Sequence, residues 1–303
     1  MTEISSQVVL ITGASAGIGA ALAQVLADRY MGIRLVLAAR NQDKLTQISD
    51  RCTKSGADVL IAPTDLSDSD QAKTLAKAAL DRFGRVDVLV NNAGYGQMGP
   101  IELVPIELVK RQFQVNVVGT IALIQALIPV MRDQGGGKII NVSSLGGRIA
   151  FPIAGLYSSS KFALEGLSDS LRRELAPFNI QVSVIEPGPV DTEFVDVASR
   201  EIDQAIPNGL NTPYRAAFEN FGRLDKLTKQ QGWSSERVAN VIVKAIAAKK
   251  TKPRYVAATA GGFLIFMMTK VLPLWFVDRF WQKFYGIDLV AKDWKTHQLK
   301  NQA

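Results

Sequence analysis

The sequence predicts one doubly wound α/β domain around a parallel sheet (a Rossmann fold), followed by a C-terminal helical extension. Three observations carry that prediction. Short apolar, β-branched runs alternate with segments whose apolar residues recur at helical spacing. A glycine-rich turn follows the first run at once, as it does where a strand feeds a helix that faces an anion. The polar motifs up to Gly94 all fall where strands end, and parallel sheets covered on both faces bind their ligands beyond those ends.

Val8-Val9-Leu10-Ile11 reads as the first strand, and Thr12-Gly13-Ala14-Ser15-Ala16-Gly17-Ile18-Gly19 follows it. Glycines here let the backbone approach a pyrophosphate, while the next helix, from Ala20 to Arg29, aims its first amides at it. The spacing is Gly-xxx-Gly-x-Gly, and a tight strand-to-helix turn is the bland alternative; the flanking strand and helix are the context the motif needs. Leu35 to Asn41 is the second strand and its exit. An acidic residue at such an exit holds ribose hydroxyls, whereas arginine suits a 2′-phosphate. Ala39 and Arg40 stand there, with no carboxylate before Asp43. Asp58 to Leu66 gives a third strand and exit, including Asp65, and Ser69 to Phe83 a helix. Val86 to Val90 is the fourth strand, ending in Asn91-Asn92-Ala93-Gly94.

A helix is expected over 106–133, with Asn116 inside an apolar stretch where burial would demand hydrogen-bond partners. Gly135-Gly136-Gly137 ends that unit, and Lys138 to Val142 forms the central strand leading to Ser143 and Ser144. The helix after it carries Tyr157 and Lys161, packed through Leu164, Leu167, Leu171 and Leu175. Gln181 to Ile185 is a sixth strand, running into Glu186-Pro187-Gly188-Pro189-Val190-Asp191-Thr192.

Tyr157 and Lys161 stand four apart and share one helix face. A free phenol has a pKa of about 10 and is a poor proton donor near neutrality. A neighbouring ammonium favours the phenolate and brings the group toward the useful range. Ser144 lies thirteen residues before Tyr157, at a strand end from which both hydroxyls can converge on one carbonyl or alcohol. Alone, a Tyr-xxx-Lys pair is most often solvated helix surface. Here it is the last of an ordered series.

That series resembles a classical short-chain dehydrogenase/reductase over roughly residues 7–192, through Thr12–Gly19, Asp65, Asn91–Gly94, Asn116, Ser144, Tyr157, Lys161 and Pro187-Gly188. The resemblance implies that Gly13, Ser15, Gly17, Ile18 and Gly19 cradle the phosphates and ribose of a nicotinamide dinucleotide. Asp65 and Leu66 would border the adenine, and Asn92, Ala93 and Gly94 the adenosine side. Pro187, Gly188, Val190 and Thr192 would flank the nicotinamide. Tyr157 would be the general acid or base, Lys161 would lower its pKa and bond the nicotinamide ribose, and Ser144 would polarise the substrate oxygen. Ser143 is the neighbouring alternative to Ser144. Asn116 would hold a lysine-linked water relay. Arg40 implies NADP, with NAD as the alternative. The family also implies a homodimer or tetramer, formed through the helices at about 106–133 and 157–175.

Beyond Thr192, residues 193–232 read as a polar, irregular lid of a length typical of function rather than connection. Glu236 to Lys250 reads as a helix with Val238, Ile242, Ala245 and Ile246 inward. Lid and helix are similar to the 17β-hydroxysteroid and retinol dehydrogenase-like branch, which implies a lipophilic alcohol or ketone substrate. The domain is accordingly drawn over 1–252, lid included, with an apolar and basic extension at 253–303.

Val256 to Thr269 carries no charge, yet falls short of the ~20 residues of a spanning helix. Three of the four tryptophans lie beyond residue 270. Residues 244–303 hold eleven Lys/Arg against three Asp/Glu, so the net charge of +7 belongs to the tail. Two readings stay open: a packed helix pair or dimer contact, or attachment of 255–285 to a membrane surface. No signal peptide is apparent, which places the chain in the cytoplasm or at its membrane face. A single cysteine, Cys52, excludes an intramolecular disulfide and a cysteine-based zinc site, and a single histidine, His297, argues against a metal triad or Ser-His nucleophile. The tail has no recognisable nucleic-acid motif. A catalytically silent dinucleotide sensor or scaffold is the competing class, and it has no need of the proton-transfer residues, all of which are present.

Overall fold

The strands are β1 (Val8–Thr12), β2 (Arg34–Ala39), β3 (Asp58–Pro63), β4 (Val88–Asn91), β5 (Gly137–Val142), β6 (Ile180–Pro187), β7 (Val190–Asp191), β8 (Trp233–Ser234) and β9 (Arg254–Ala257). In the computed structural model, which describes residues 3–222 and 232–301, seven of them form one sheet in the order β3-β2-β1-β4-β5-β6-β9. Every pairing in it is parallel. The strand order reverses between β1 and β4, so the glycine turn and the Asn91 exit meet at the switch point, where open α/β sheets bind ligands.

Alternate residues of each strand feed opposite faces of the sheet. Val9, Ile11, Leu35 and Leu37 pack on one face with Leu22 and Leu26 of helix α1 (Gly17–Arg29), Leu45 of α2 (Gln42–Lys54) and Ile242. Val8, Leu10 and Val36 pack on the other with Leu75 of α3 (Ser69–Phe83) and Leu123 and Leu127 of α4 (Ile106–Asp133). Burying each such side chain contributes roughly 1.5–3 kcal/mol, and it is this double burial that makes the strands read as unbroken apolar runs. Local signals set the helix ends. Asn41 Oδ1 accepts from the amide of Lys44 at the start of α2, and Asp68 accepts from those of Asp70 and Gln71 at the start of α3. Gly84, at φ 72°, closes α3 in the left-handed conformation that a glycine adopts freely.

The remaining helices are α5 (Gly155–Glu174), α6 (Glu193–Ala205), α7 (Ser235–Ala247), α8 (Gly261–Val271), α9 (Leu274–Phe284) and α10 (Ile287–Asn301). Three departures from the sequence reading matter. α4 is interrupted by a π turn at Gln114–Val118, with the buried Asn116 at its centre. The segment expected to be irregular begins as the regular helix α6, because Phe194, Ala198 and Ile202, at spacing four, give it an apolar face packed in a shared cluster; residues 223–231 of the lid lie outside the described residues. Finally, the sheet takes its last strand, β9, from beyond residue 252. Four residues with an arginine at their start gave no strand pattern. The uncharged run from Val256 to Thr269 spans the strand end, a turn and most of α8.

Candidate active site

The glycine turn is built for close approach. Gly13 sits at φ 66°, and a Cβ on it would lie 2.8 Å from Asn92 Nδ2 and 2.9 Å from Ala93 Cα. A Cβ on Gly19 would lie 2.3 Å from the carbonyl oxygen of Gly13. Asn92 braces the turn from β4, its Nδ2 donating to the carbonyls of Thr12 and Gly13 at 3.0 and 3.2 Å. Thr12 Oγ1 accepts from the amides of Asn92 and Ala93, both at 3.0 Å. The sequence reading quoted Thr12 only as the start of a motif; here it fixes the two exits against each other. Gly17 carries φ 54°, and its Cβ position is 3.3 Å from Thr192 Cγ2. Thr192 caps α6 through its hydroxyl. A cleft lined by Ser15, Gly17, Lys44, Thr192 and Glu193 opens here; the Lys44 ammonium bonds the Glu193 carboxylate at 2.9 Å. Ile18 is half-buried and packs against the sheet core.

Arg40 is exposed immediately after β2, and Ala39 is partly buried. Asp65 spends its Oδ1 on the amide of Ser67 at 2.9 Å, which shapes the turn after β3. Leu66 is buried, and a Cβ on Gly119 of α4 would lie 2.0 Å from its carbonyl oxygen. That approach fixes Leu66 beside the sheet's end, and a glycine inside an apolar helix was its signal in the sequence. Gly188 donates its amide to Ala257 at 3.2 Å, so the Pro187-Gly188 exit is held by β9. Val190 pairs with Trp233.

The second half of the site gathers on α5. A Cβ on Gly146 would be 3.4 Å from Ser144 Oγ and 3.5 Å from Tyr157 Cε1, placing serine and tyrosine side by side. Ser144 Oγ accepts the amide of Gly146 at 3.0 Å. Its hydroxyl hydrogen bonds to the phenol of Tyr157 pulls that group's pKa down, against a larger upward push from burial that leaves it at about 12. Ser143 points elsewhere: a Cβ on Gly147 would meet Ser143 Oγ at 2.5 Å and Glu165 Cγ at 3.1 Å. Of the two serines, Ser144 is the one beside Tyr157.

Lys161 is buried and donates from Nζ to the carbonyl of Val142 at 2.8 Å. Desolvation takes its ammonium down to about 8, with Glu165 opposing. The nitrogen lies 5.8 Å from the centre of the Tyr157 ring. The expected lowering of the phenol by Lys161 is not seen: burial raises it, and the Ser144 hydroxyl is what opposes. Asn116 Nδ2 donates to the carbonyl of Tyr95 at 3.0 Å and to Ser160 Oγ at 3.1 Å, and its Oδ1 accepts from the amide of Tyr95 at 3.1 Å. A Cβ on Gly94 would lie 3.1 Å from Asn116 Oδ1 and 3.6 Å from Lys161 Nζ, so Gly94, Asn116 and Lys161 meet at one point. The π turn supplies that aim; such turns often mark functional sites.

Apolar walls close over the tyrosine. The Phe194 ring is 5.5 Å from that of Tyr157, in a cluster with Phe151, Ile202, Tyr214 and Tyr285. Leu145 and Ile149, just past Ser144, pack with Ile265, Val277 and Trp281 of the C-terminal helices. The sequence reading did not see Phe194 or this contact, since both depend on helices folding back from far along the chain.

A strand-ended sheet with a glycine cradle at its switch point and a Ser-Tyr-Lys cluster beyond β5 defines a nucleotide-binding oxidoreductase. The chain belongs to the short chain dehydrogenase family, whose sequence pattern matches residues 7–203. Among its relatives is human 17-beta-hydroxysteroid dehydrogenase type 1, 35% identical over 254 residues that cover 82% of this chain and 76% of the relative. Another is the 3-ketodihydrosphingosine reductase of Bacteroides thetaiotaomicron, 32% identical over 276 residues, 91% of this chain and 95% of the relative. The solved structure of a short chain dehydrogenase/reductase from Burkholderia phymatum in complex with NAD superposes with a TM-score of 0.78 at 28% identity, over 88% of this chain and 94% of that one. A metagenomic short-chain oxidoreductase in complex with NADP superposes with a TM-score of 0.66 at 30% identity, over 84% and 98%.

Proposed function

We propose that the chain is an NADP(H)-dependent oxidoreductase that interconverts a lipophilic ketone and its secondary alcohol. The observation that carries the reading is the meeting of Ser144, Tyr157, Lys161 and Asn116 with a glycine cradle at one edge of the sheet. Gly13 and Gly19 leave no space for a Cβ and Gly17 takes φ 54°, so the turn stays tight, and a dinucleotide pyrophosphate suits the helix amides facing it. When bound, the nicotinamide would supply or accept the hydride. Ser144 would donate a hydrogen bond to the substrate oxygen, and Tyr157 would hand it the proton in reduction or take it in oxidation. Lys161 would stabilise the phenolate that remains, bond the ribose, and connect through Asn116 to water.

The substrate class rests on the aromatic and aliphatic walls beside Tyr157, and on relatives named for a steroid and a sphingoid substrate. NADP over NAD rests on exposed Arg40 beside Ala39, an arrangement that suits bidentate contact with a 2′-phosphate. The experiment is a nicotinamide-oxidation screen over ketones of graded size with each coenzyme, in wild type and in Ala39→Asp/Arg40→Leu. Turnover of large apolar ketones with NADPH, reversed to NADH by the double variant, is expected. Equal use of NADH by wild type, or preference for small polar carbonyls, would overturn these assignments.

Val118 of α4 and Phe162 of α5, exposed in the single chain, support self-association through these two helices. For residues 255–285 the reading is peripheral membrane contact, from the cytoplasmic side. Phe263, Phe266, Leu274 and Trp275 are each more than half exposed, and Lys270, Arg279 and Lys283 flank them. An apolar patch of this kind, rimmed by cations, suits an anionic lipid surface.

A further inference from the structure

Behind the catalytic face, six charged side chains from four parts of the chain close into one network. Glu165 stands one helical turn beyond Lys161 on α5, on the same face, and both are 5% exposed. Arg254, from β9, donates from Nε to Glu165 Oε2 at 3.0 Å and from Nη2 to Asp169 Oδ2 at 2.9 Å. The same Nε lies 3.3 Å from Oε1 of Glu186, which is 1% exposed and leads directly into Pro187-Gly188. Arg148, from the loop after Ser144, donates to Glu186 Oε1 at 3.0 Å. Two buried carboxylates, Glu165 and Glu186, thus share one arginine. Buried charges of like sign are costly unless cations hold them together. Asp169 is held by Arg172 as well, at 2.9 Å, so three carboxylates face three guanidiniums, and the buried Lys161 ammonium stands one helical turn from Glu165.

We infer that Glu165, clamped by Arg254, is a positioning residue for Lys161: its carboxylate holds the buried ammonium charged and in place behind Tyr157. This rests on the proposed reading of Lys161 as the cation of the active site. It gives β9 a function, since the edge strand delivers the arginine on which the carboxylate depends. Burial and the charge of Glu186 raise the pKa of Glu165, with Arg254 opposing. Without the arginine, Glu165 takes up a proton and Lys161 loses its counter-charge. Asp169, whose side chain is 30% exposed, is screened by water and is the natural control.

The test follows Lys161 directly and needs no substrate. Protein labelled with 13C at lysine Cε is titrated by NMR, and the Lys161 signal is identified by its loss in Lys161→Met. The wild-type midpoint is expected near 8. Glu165→Gln and Arg254→Gln should each lower it by about one unit, and Asp169→Asn should leave it within about a quarter of that. An unmoved midpoint in a folded Glu165→Gln protein overturns the inference. If that variant does not fold, an unmoved midpoint in Arg254→Gln does so, as does an equal shift in Asp169→Asn. A midpoint that shifts as expected in a chain that turns over no ketone would keep the clamp and sink the oxidoreductase reading.

Discussion

The ammonium of Lys161 is tied to the carbonyl oxygen of Val142 at 2.8 Å, so the helix that carries Tyr157 is moored to the strand that ends in Ser144. The three polar groups of the site are held in register by a bond that exists only while Lys161 is buried. The same burial takes its pKa down to about 8, from an ordinary value of about 10.4.

A pH dependence follows, with its sign. Below about pH 8 the ammonium is charged and can stabilise the phenolate that reduction leaves behind; above it the charge is lost. The Tyr157 phenol, at about 12, keeps its proton throughout. The kcat/KM for ketone reduction should therefore fall on an alkaline limb with its midpoint near 8, measured by NADPH oxidation. A profile flat to pH 10 would contradict this.

The glycine cradle predicts two unlike outcomes for one kind of substitution. Gly19→Ala places a methyl 2.3 Å from the Gly13 carbonyl oxygen, so the turn must open and dinucleotide affinity should drop at least tenfold. Gly84→Ala meets nothing within 4 Å and is strained only by its φ of 72°. It should cost about 1 kcal/mol of stability and leave binding unchanged. Nucleotide fluorescence titration and urea melts of both variants decide it. Similar effects on binding would remove the special role of the turn.

Much of this was legible in the chain because parallel strands buried on both faces leave continuous apolar runs, and the motifs sit at their ends. Gly13 meets Asn92, and Ser144 lies beside Tyr157 with Lys161 5.8 Å from its ring. The choice of Ser144 over Ser143 needed coordinates, since adjacent residues point to opposite sides. The π turn at Asn116 has no signature of its own among helix-forming neighbours. β9 was hidden by its brevity, and Glu165 carried no signal of its own, since its partner Arg254 lies eighty-nine positions away. What the sequence could not convey was contact between distant elements.

The membrane reading calls for substitution rather than truncation, because cutting after Lys252 would also remove β9 from the sheet. Phe263→Glu/Leu274→Glu/Trp275→Glu changes three side chains that are each more than two-thirds exposed and should leave the fold intact. Wild type should float with anionic vesicles at low salt and the triple variant should stay in solution. If wild type also stays in solution, the patch is covered by something other than lipid.

The most direct measurement of the central claim is turnover by Tyr157→Phe, which deletes one hydroxyl and keeps the ring against Phe194. The variant should bind NADPH as wild type does and reduce the ketone found by screening at a rate lower by about 10²–10⁴. Undiminished turnover in a folded Tyr157→Phe protein would contradict the assignment of proton transfer to Tyr157, and with it the mechanism.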